Sequence, residues 1–366
     1  MHRFINRYYP KPFLFKRKLT FLISFTAMLA CIILFSSAER KTRHIIPMSQ
    51  PLKERTIKEN LMDKANPYTV NGTLALQSKA APALAYSNNK LYMVLLGAGS
   101  NDLWYSSISV ADSKEDPLAL TRWAPNKPVA NKASKETPAI ANYNGKLHMV
   151  YTATSSNDLW YSSFDGNSWT TSIRILNVAR GSHPALASFN GKLYLVYIGN
   201  SSKDLMYSSF NGSLWTHNIK IPNQSSKARP ALASFNGKLH MVHLGNTSND
   251  LWYSSFNGTA WSPNIQISNQ SSKATPSLAS FNNKLHMLHL GNTSNDIWHS
   301  SFDGSSWTAN ERIPNQTSKA TPAIASIDNQ ASPFSRQLHM VHLGDTSNDV
   351  WYSSFKGSSW TNNVKL

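Results

Sequence analysis

The residues of this chain that could do chemistry are repeated ones. An Asp, an aliphatic residue and a Trp stand together at Asp102 and Trp104, Asp158 and Trp160, Asp250 and Trp252, Asp296 and Trp298, and Asp349 and Trp351, while Asp204 leads to Met206 instead. A Tyr or His follows each time, at Tyr105, Tyr161, Tyr207, Tyr253, His299 and Tyr352. Upstream of each step lies a ladder of rings. The place of His240 is taken by Tyr92, His148, Tyr194, His286 and His339, and the place of His243 by Leu95, Tyr151, Tyr197, His289 and His342. A further Trp closes each copy, at Trp123, Trp169, Trp215, Trp261, Trp307 and Trp360.

Repetition separates the kinds of chemistry open to such a set. A catalytic centre needs one singular constellation, whereas a binder of several like ligands needs the same side chains in every copy. Flat rings with a polar edge beside an acid suit a surface that is part C–H and part hydroxyl, as a sugar's is. The candidate contact residues are Trp104, Trp160, Trp252, Trp298 and Trp351 as platforms, with Asp250, Asp296, Tyr253, His243, His289 and His342 as polar partners. Each also has a purely structural explanation: Trp in the core, Asp capping its turn, His and Tyr as half-buried rings with their polar atoms satisfied. The closing Trp, set at a fixed offset from an Asn-Gly or Asp-Gly turn, is expected to pack across its own hairpin. On a strand, neighbours point to opposite faces, so Trp252 and Tyr253 must serve different sides of their sheet. For the same reason His240 and His243 face apart. Because His and Tyr interchange freely at these places, no metal site is expected, and no cofactor.

The elements that must hold these residues follow from the period. Pro82, Pro138, Pro184, Pro230, Pro276 and Pro322 open six copies, spaced 46 residues apart except for a first spacing of 56. Within one copy the runs ALASF, KLHMVHL and DLWYSSF, and the segment from Trp261 to Ile267, are short, rich in aliphatic and aromatic residues, and separated by turn material such as Asn236-Gly237 and Asn257-Gly258. None is long enough, or periodic enough, for a helix. Four short strands in a unit of about 40–50 residues read as a propeller blade. The fold expected is therefore all-β: a propeller of six four-stranded blades over residues 67–366. The last copy stops at Leu366, level with Ile221, and Gln77 to Ala81 matches the missing joint with one residue deleted. The piece from about Tyr68 should then close the ring beside the C-terminus.

The first 66 residues are a different material. Residues 1–18 carry six basic side chains and no acid, residues 19–38 carry no charge, and residues 39–66 are charged and polar. They read as a cytoplasmic leader, a transmembrane or signal helix, and a stalk. The apolar run is either an uncleaved type II anchor that leaves the propeller outside the cell or in a lumen, or a signal peptide cut near Ala38 from a secreted protein. The net charge of +17 divides into +9 on residues 1–66 and +8 on the propeller, where scattered turn Lys such as Lys192 and Lys238 carry the excess. That distribution gives no reason to expect a nucleic-acid partner. The only cysteine, Cys31, lies in the apolar run, so the propeller must be held by packing and closure alone.

The grammar KL-x5-G, as in Lys238-Leu239 to Gly245, then Asp-Leu-Trp, then F-[DN]-G-x-x-W, as in Phe256 to Trp261, resembles the PLL-like β-propeller lectins over residues 68–366. The resemblance implies binding of fucose-like or O-methylated sugars between blades. The joint Asn223 to Lys227 departs from that family's Gly-Gly. Ser163 to Trp169 is similar to the Asp-box of sialidases but one residue short. The expected function is a multivalent, non-enzymatic lectin whose partners are glycans or glycoconjugates. Two alternatives stand beside it, a protein-binding scaffold and, more weakly, a sialidase-like glycosidase. If the repeated Trp is the platform, the copy with Met206 should bind weakly or not at all, and a titration that counted six equal sites would contradict this.

Overall fold

The computed structural model describes residues 69–70, 73–74, 76–109, 122–176, 181–199, 202–328 and 336–366. The leader, apolar run and stalk expected over 1–66 lie outside them. Among the described residues no helix is long and apolar enough to cross a membrane.

Six four-stranded antiparallel sheets follow one another, and in each the strands lie side by side in sequence order. Blade 4 shows why. Its innermost strand, Ala231–Phe235, turns through Asn236 (φ 43°) and Gly237 (φ 68°) into the second strand, Lys238–Leu244. Positive φ at both central residues gives the two-residue turn that matches the twist of its flanking strands. Asp250–Phe256 and Ile265–Ser271 complete the blade outward. The other blades begin with Ala83–Ser87, Ala139–Tyr143, Gly181–Phe189, Ser277–Phe281 and Ala323–Asp328 and repeat the order. The expected six-bladed, all-β propeller is therefore the observed fold.

The core is divided among the contacts between blades, here called seams. In blade 4, Leu239 and Met241 pack with Tyr194 and Val196 of blade 3, whereas Val242 and Leu244 pack with Leu285 and Met287 of blade 5. Alternation along one strand thus feeds two cores. Six apolar clusters, one per seam, account for the ring. The repeated Pro stands just before the innermost strand, or inside it at Pro184, and lines a narrow axial hole of about 100 Å³. A residue without an N–H fits there, because the innermost edge has no further strand to pair with.

Closure joins the two ends of the propeller. Leu76 N–H donates to Leu366 O (3.2 Å), Val350 N–H to Leu76 O (2.9 Å) and Ser78 N–H to Asn348 O (3.0 Å). Gln77 bridges Asp349, the partner that Ser271 provides for Asp250 in blade 4. Gln77 therefore occupies the Ser225 place and Leu76 the Gln224 place, so the joint has no deletion. The misreading arose because two glutamines were matched to each other. Leu76 is buried among Leu84, Val341 and Val350. Leu76→Ala should cost about 2–4 kcal/mol. Urea unfolding of the full-length protein measures it, and a loss no larger than that of a surface substitution would refute the closing role.

Candidate functional site at the blade seams

Each seam brings together rings from two blades. Tyr105 packs in the cluster shared by blades 1 and 2, while its neighbour Trp104 packs in that of blades 6 and 1. Trp160 of blade 2 packs against the same cluster as Tyr105, from the other side of the first of these seams. Tyr253 reaches the other way from Trp252, its ring 5.2 Å from Phe302 and 6.0 Å from Trp307 of blade 5. The opposed directions expected of adjacent strand residues are thus present. Trp104, Trp160, Trp252, Trp298 and Trp351 are all half-buried. The chain clears space for them with glycine. A Cβ on Gly245 would sit 3.3 Å from the Trp252 indole nitrogen and 2.5 Å from Ser248 Oγ, and Gly97, Gly291 and Gly344 stand in the same relation to their own Trp and Ser.

The polar candidates are placed differently from one another. His243, His289 and His342 are wholly buried. Nδ1–H of His243 donates to Leu244 O (2.7 Å), and Nε2 lies 3.1 Å from the side-chain amide of Asn264. His289 and His342 repeat this with Asn310 and Asn363. Burial pushes their pKa down and keeps the rings neutral. Asp296 accepts from Ser294 Oγ (2.9 Å) and Arg312 Nη1 (3.2 Å), and Asp204 and Asp349 pair with Lys220 and Lys365 at 2.8 Å. In blade 4, Gln266 holds the place of Arg312, so Asp250 has no base opposite it. The turn is capped by Ser248, whose Oγ lies 3.4 Å from the Asp250 amide nitrogen, and not by the Asp itself. The Tyr253 hydroxyl donates to His240 Nδ1 (2.9 Å). Five of the six closing Trp residues, all but Trp123, stack on the Phe of their own hairpins, as expected, with centroids 5.1–5.3 Å apart.

Two features were missed from the sequence. The first is a clamp across the seams. Asn223, Asn269 and Asn315 take positive φ in the outer strand, within the stretch where its register with the third strand shifts. Such a bulge re-aims the residue that follows it. Gln224 Nε2 then donates to Ser262 O (3.2 Å) while Ser254 Oγ donates to Gln224 Oε1 (2.9 Å), tying blade 3 to blade 4. Gln270 and Gln316 do the same at the next two seams. In blade 1 the bulge is Asn131 (φ 58°) and the clamp residue is Lys132. There the seam opens into a cleft of about 780 Å³ whose walls include Tyr105, Tyr151, Trp160, Trp169 and Lys132.

The second missed feature is a charged cluster in blades 2 to 4. Glu136 Oε1 accepts from the His183 N–H (2.7 Å), and Oε2 lies 3.2 Å from His183 Nε2. Arg229, at the axial hole, feels the field of Glu136. His183 has φ 60°, a strained conformation for a side chain of its size. The signal for both features was a break in the repeat: Lys for Gln, and Glu136, His183 and Arg229 where other copies carry Ala, Ser or Thr.

One seam departs in another way. Where blades 2, 4 and 6 pair His with Tyr, His286 Nδ1 faces His299 Nε2 at 2.9 Å, and the Trp360 indole N–H reaches His299 Nδ1 at 3.4 Å. Burial lowers the His286 pKa to about 4, and burial with the neighbouring His286 lowers that of His299 to about 3.

Comparison with known proteins places the fold. The structure is similar to a variant of the Aleuria aurantia lectin in complex with alpha-methyl-L-fucoside, with a TM-score of 0.56 and 12% identity over 80% of this chain and 96% of that one. It is also similar to the SapL1 lectin in complex with alpha methyl fucoside, with a TM-score of 0.54 and 15% identity over 78% of this chain and 95% of that one. A Hadza microbial sialidase matches with a TM-score of 0.52 and 13% identity, over 78% of this chain and 65% of that one. No model of a known protein family matches the sequence, and no curated protein matches it. At these identities the likeness is one of fold, and it sets the chain among propellers that include fucose-binding lectins.

The histidine pair generates a pH dependence. Folded pKa values below the ordinary 6.5 mean that the unfolded chain takes up protons first as pH falls, so stability present above about 6.5 is lost on the way down to about 4 and about 3. His299→Tyr, which restores the pair of blades 2, 4 and 6, should lessen the fall in melting temperature between pH 6.5 and 4. An unchanged pH profile would show that this pair does not contribute to it.

Proposed function

We propose that the protein is a glycan-binding lectin whose sites lie at the blade seams. The observation that carries this is the open cleft between blades 1 and 2, of about 780 Å³, where four aromatic rings from two blades line one concave surface beside polar groups. Concave sites that combine ring faces with directed polar atoms are a usual form of small-ligand site, and this cleft sets its rings beside Asn131, Lys132, Asn167 and Thr170. Trp160 would stack on the C–H face of a sugar, with Tyr105 and Tyr151 beside it. Trp104, Trp252, Trp298 and Trp351 would serve equivalent, shallower sites. Asp250, Asp296 and Tyr253 belong to the rims of those sites, and His243, His289 and His342 would act from beneath, holding the Asn amides at the outer strands.

Fucose-like or O-methylated sugars are the first candidates, as the PLL-like resemblance implies. The Aleuria aurantia and SapL1 lectins, both in complex with fucosides, support the same class. Binding without hydrolysis is favoured by the axial cluster, which contains one carboxylate, Glu136, already engaged by His183; the common glycosidases need a pair. Residues 19–38 would tether the protein as a type II membrane protein, or be removed from a secreted one, and several weak sites on one ring would then act together.

A glycan array probed with the full-length protein tests this, beside Trp160→Ala and the double variant Trp252→Ala, Trp298→Ala. Binding selective for one sugar class, and about tenfold weaker or more in a variant that keeps its β-sheet circular dichroism, is the expected result. Undiminished binding in both folded variants would remove the Trp platforms, and an array with no binding would remove the lectin function.

A further inference from the structure

The blade 1 to blade 2 seam is built unlike the three clamped seams, and one substitution makes the difference. Lys132 stands where Gln224, Gln270 and Gln316 clamp the next blade.

A lysine cannot replace that clamp. The clamp needs an acceptor for the Ser254, Ser300 or Ser353 hydroxyl, and an ammonium group has only donors. In blade 2 the corresponding hydroxyl, Ser162 Oγ, turns to its own blade and donates to Thr170 O at 2.8 Å. That also occupies the carbonyl which a clamping side chain would use. Lys132 is thereby left inside the seam with 6% of its surface exposed, and among the described residues its one hydrogen bond is a long contact of 3.5 Å to Ala130 O on its own strand. None of the described residues lining the cleft is an acid. Desolvation pushes the Lys132 pKa down, with no opposing pull from a carboxylate among the described residues. A cation removed from water without a counter-ion is costly, and the natural remedy is an anion brought by whatever fills the cleft.

We infer that this seam takes a sugar bearing an anionic group, with the negative charge seated on Lys132 while the ring of the sugar lies against Trp160. The inference rests on the lectin function proposed above and adds to it a ligand class that the other seams do not share, because at three of them the same position is a neutral Gln engaged on both sides. A uronic-acid carboxylate and a sulfate ester offer the same chemistry to an ammonium group.

An array printed with matched neutral, uronic-acid and sulfated oligosaccharides separates these possibilities, probed with the full-length protein, Lys132→Gln and Lys132→Arg. The wild type should hold one or both anionic series about tenfold or more above the neutral series, since a hydrogen bond to a charged partner is worth at least that much. Lys132→Gln, which installs the residue of the clamped seams and so should fold, should abolish the preference. Lys132→Arg should retain it. Preference for the carboxylate alone or the sulfate alone identifies the group. Neutral glycans bound as well as anionic ones, or an anionic preference that survives in Lys132→Gln, overturns the assignment of Lys132 while leaving the lectin function standing. An array blank in all three series overturns both.

Discussion

A strand that is apolar on both faces cannot be satisfied by one neighbour. In every blade the second strand, such as Lys238–Leu244, is buried at each position after its first residue, apart from the Gly199 that ends it in blade 3. The sheet that contains it must be packed between two others, each of which has the same need. A closed ring satisfies all of them at once, and an open stack would leave two faces in water. The whole architecture follows from that two-sidedness, including the division of the core into six separate clusters.

Once apolar packing has set the blades side by side, the outer third of each seam is free to vary. At three seams the bulged Asn and the following Gln close it with hydrogen bonds. At the first seam the same bulge carries a lysine, and the rings of Tyr105 and Trp160 stand apart over open space. The inner part of the blade thus fixes the ring while the outer part sets what can enter it. A repeat protein can acquire a distinctive site in this way without disturbing the packing that all copies share.

Much of this was legible in the sequence, and the limits have physical causes. Asn236-Gly237 announced its turn because few residues accept two successive positive φ values. The spacing of the prolines gave the blade count, and the broken last copy gave the closure. Alternation correctly predicted that Tyr253 and Trp252 part company, because it reports which face a residue occupies. It does not report depth. His243 lies on a strand buried on both sides, so its ring is enclosed whichever way it points. The clamp was invisible for a different reason: Gln224 meets Ser254 and Ser262, which are 30 and 38 residues further on, across a seam that no local pattern describes. Lys132 was in view as a departure from Gln, but the 56-residue first spacing hid the alignment that would have shown it.

The closing contact also sets an order of events when the chain is made. Gln77 and Asp349 lie 272 residues apart, so the backbone of Leu76 to Ser78 waits for its blade 6 partners through the synthesis of nearly the whole ring. Each earlier blade can pack against its predecessor as it emerges, but blade 1 keeps one apolar face uncovered until blade 6 arrives. Contacts of such long range form slowly. The nascent chain therefore carries a growing arc with two sticky ends, and the last strands of blade 6 determine whether it closes on itself or on a neighbouring chain.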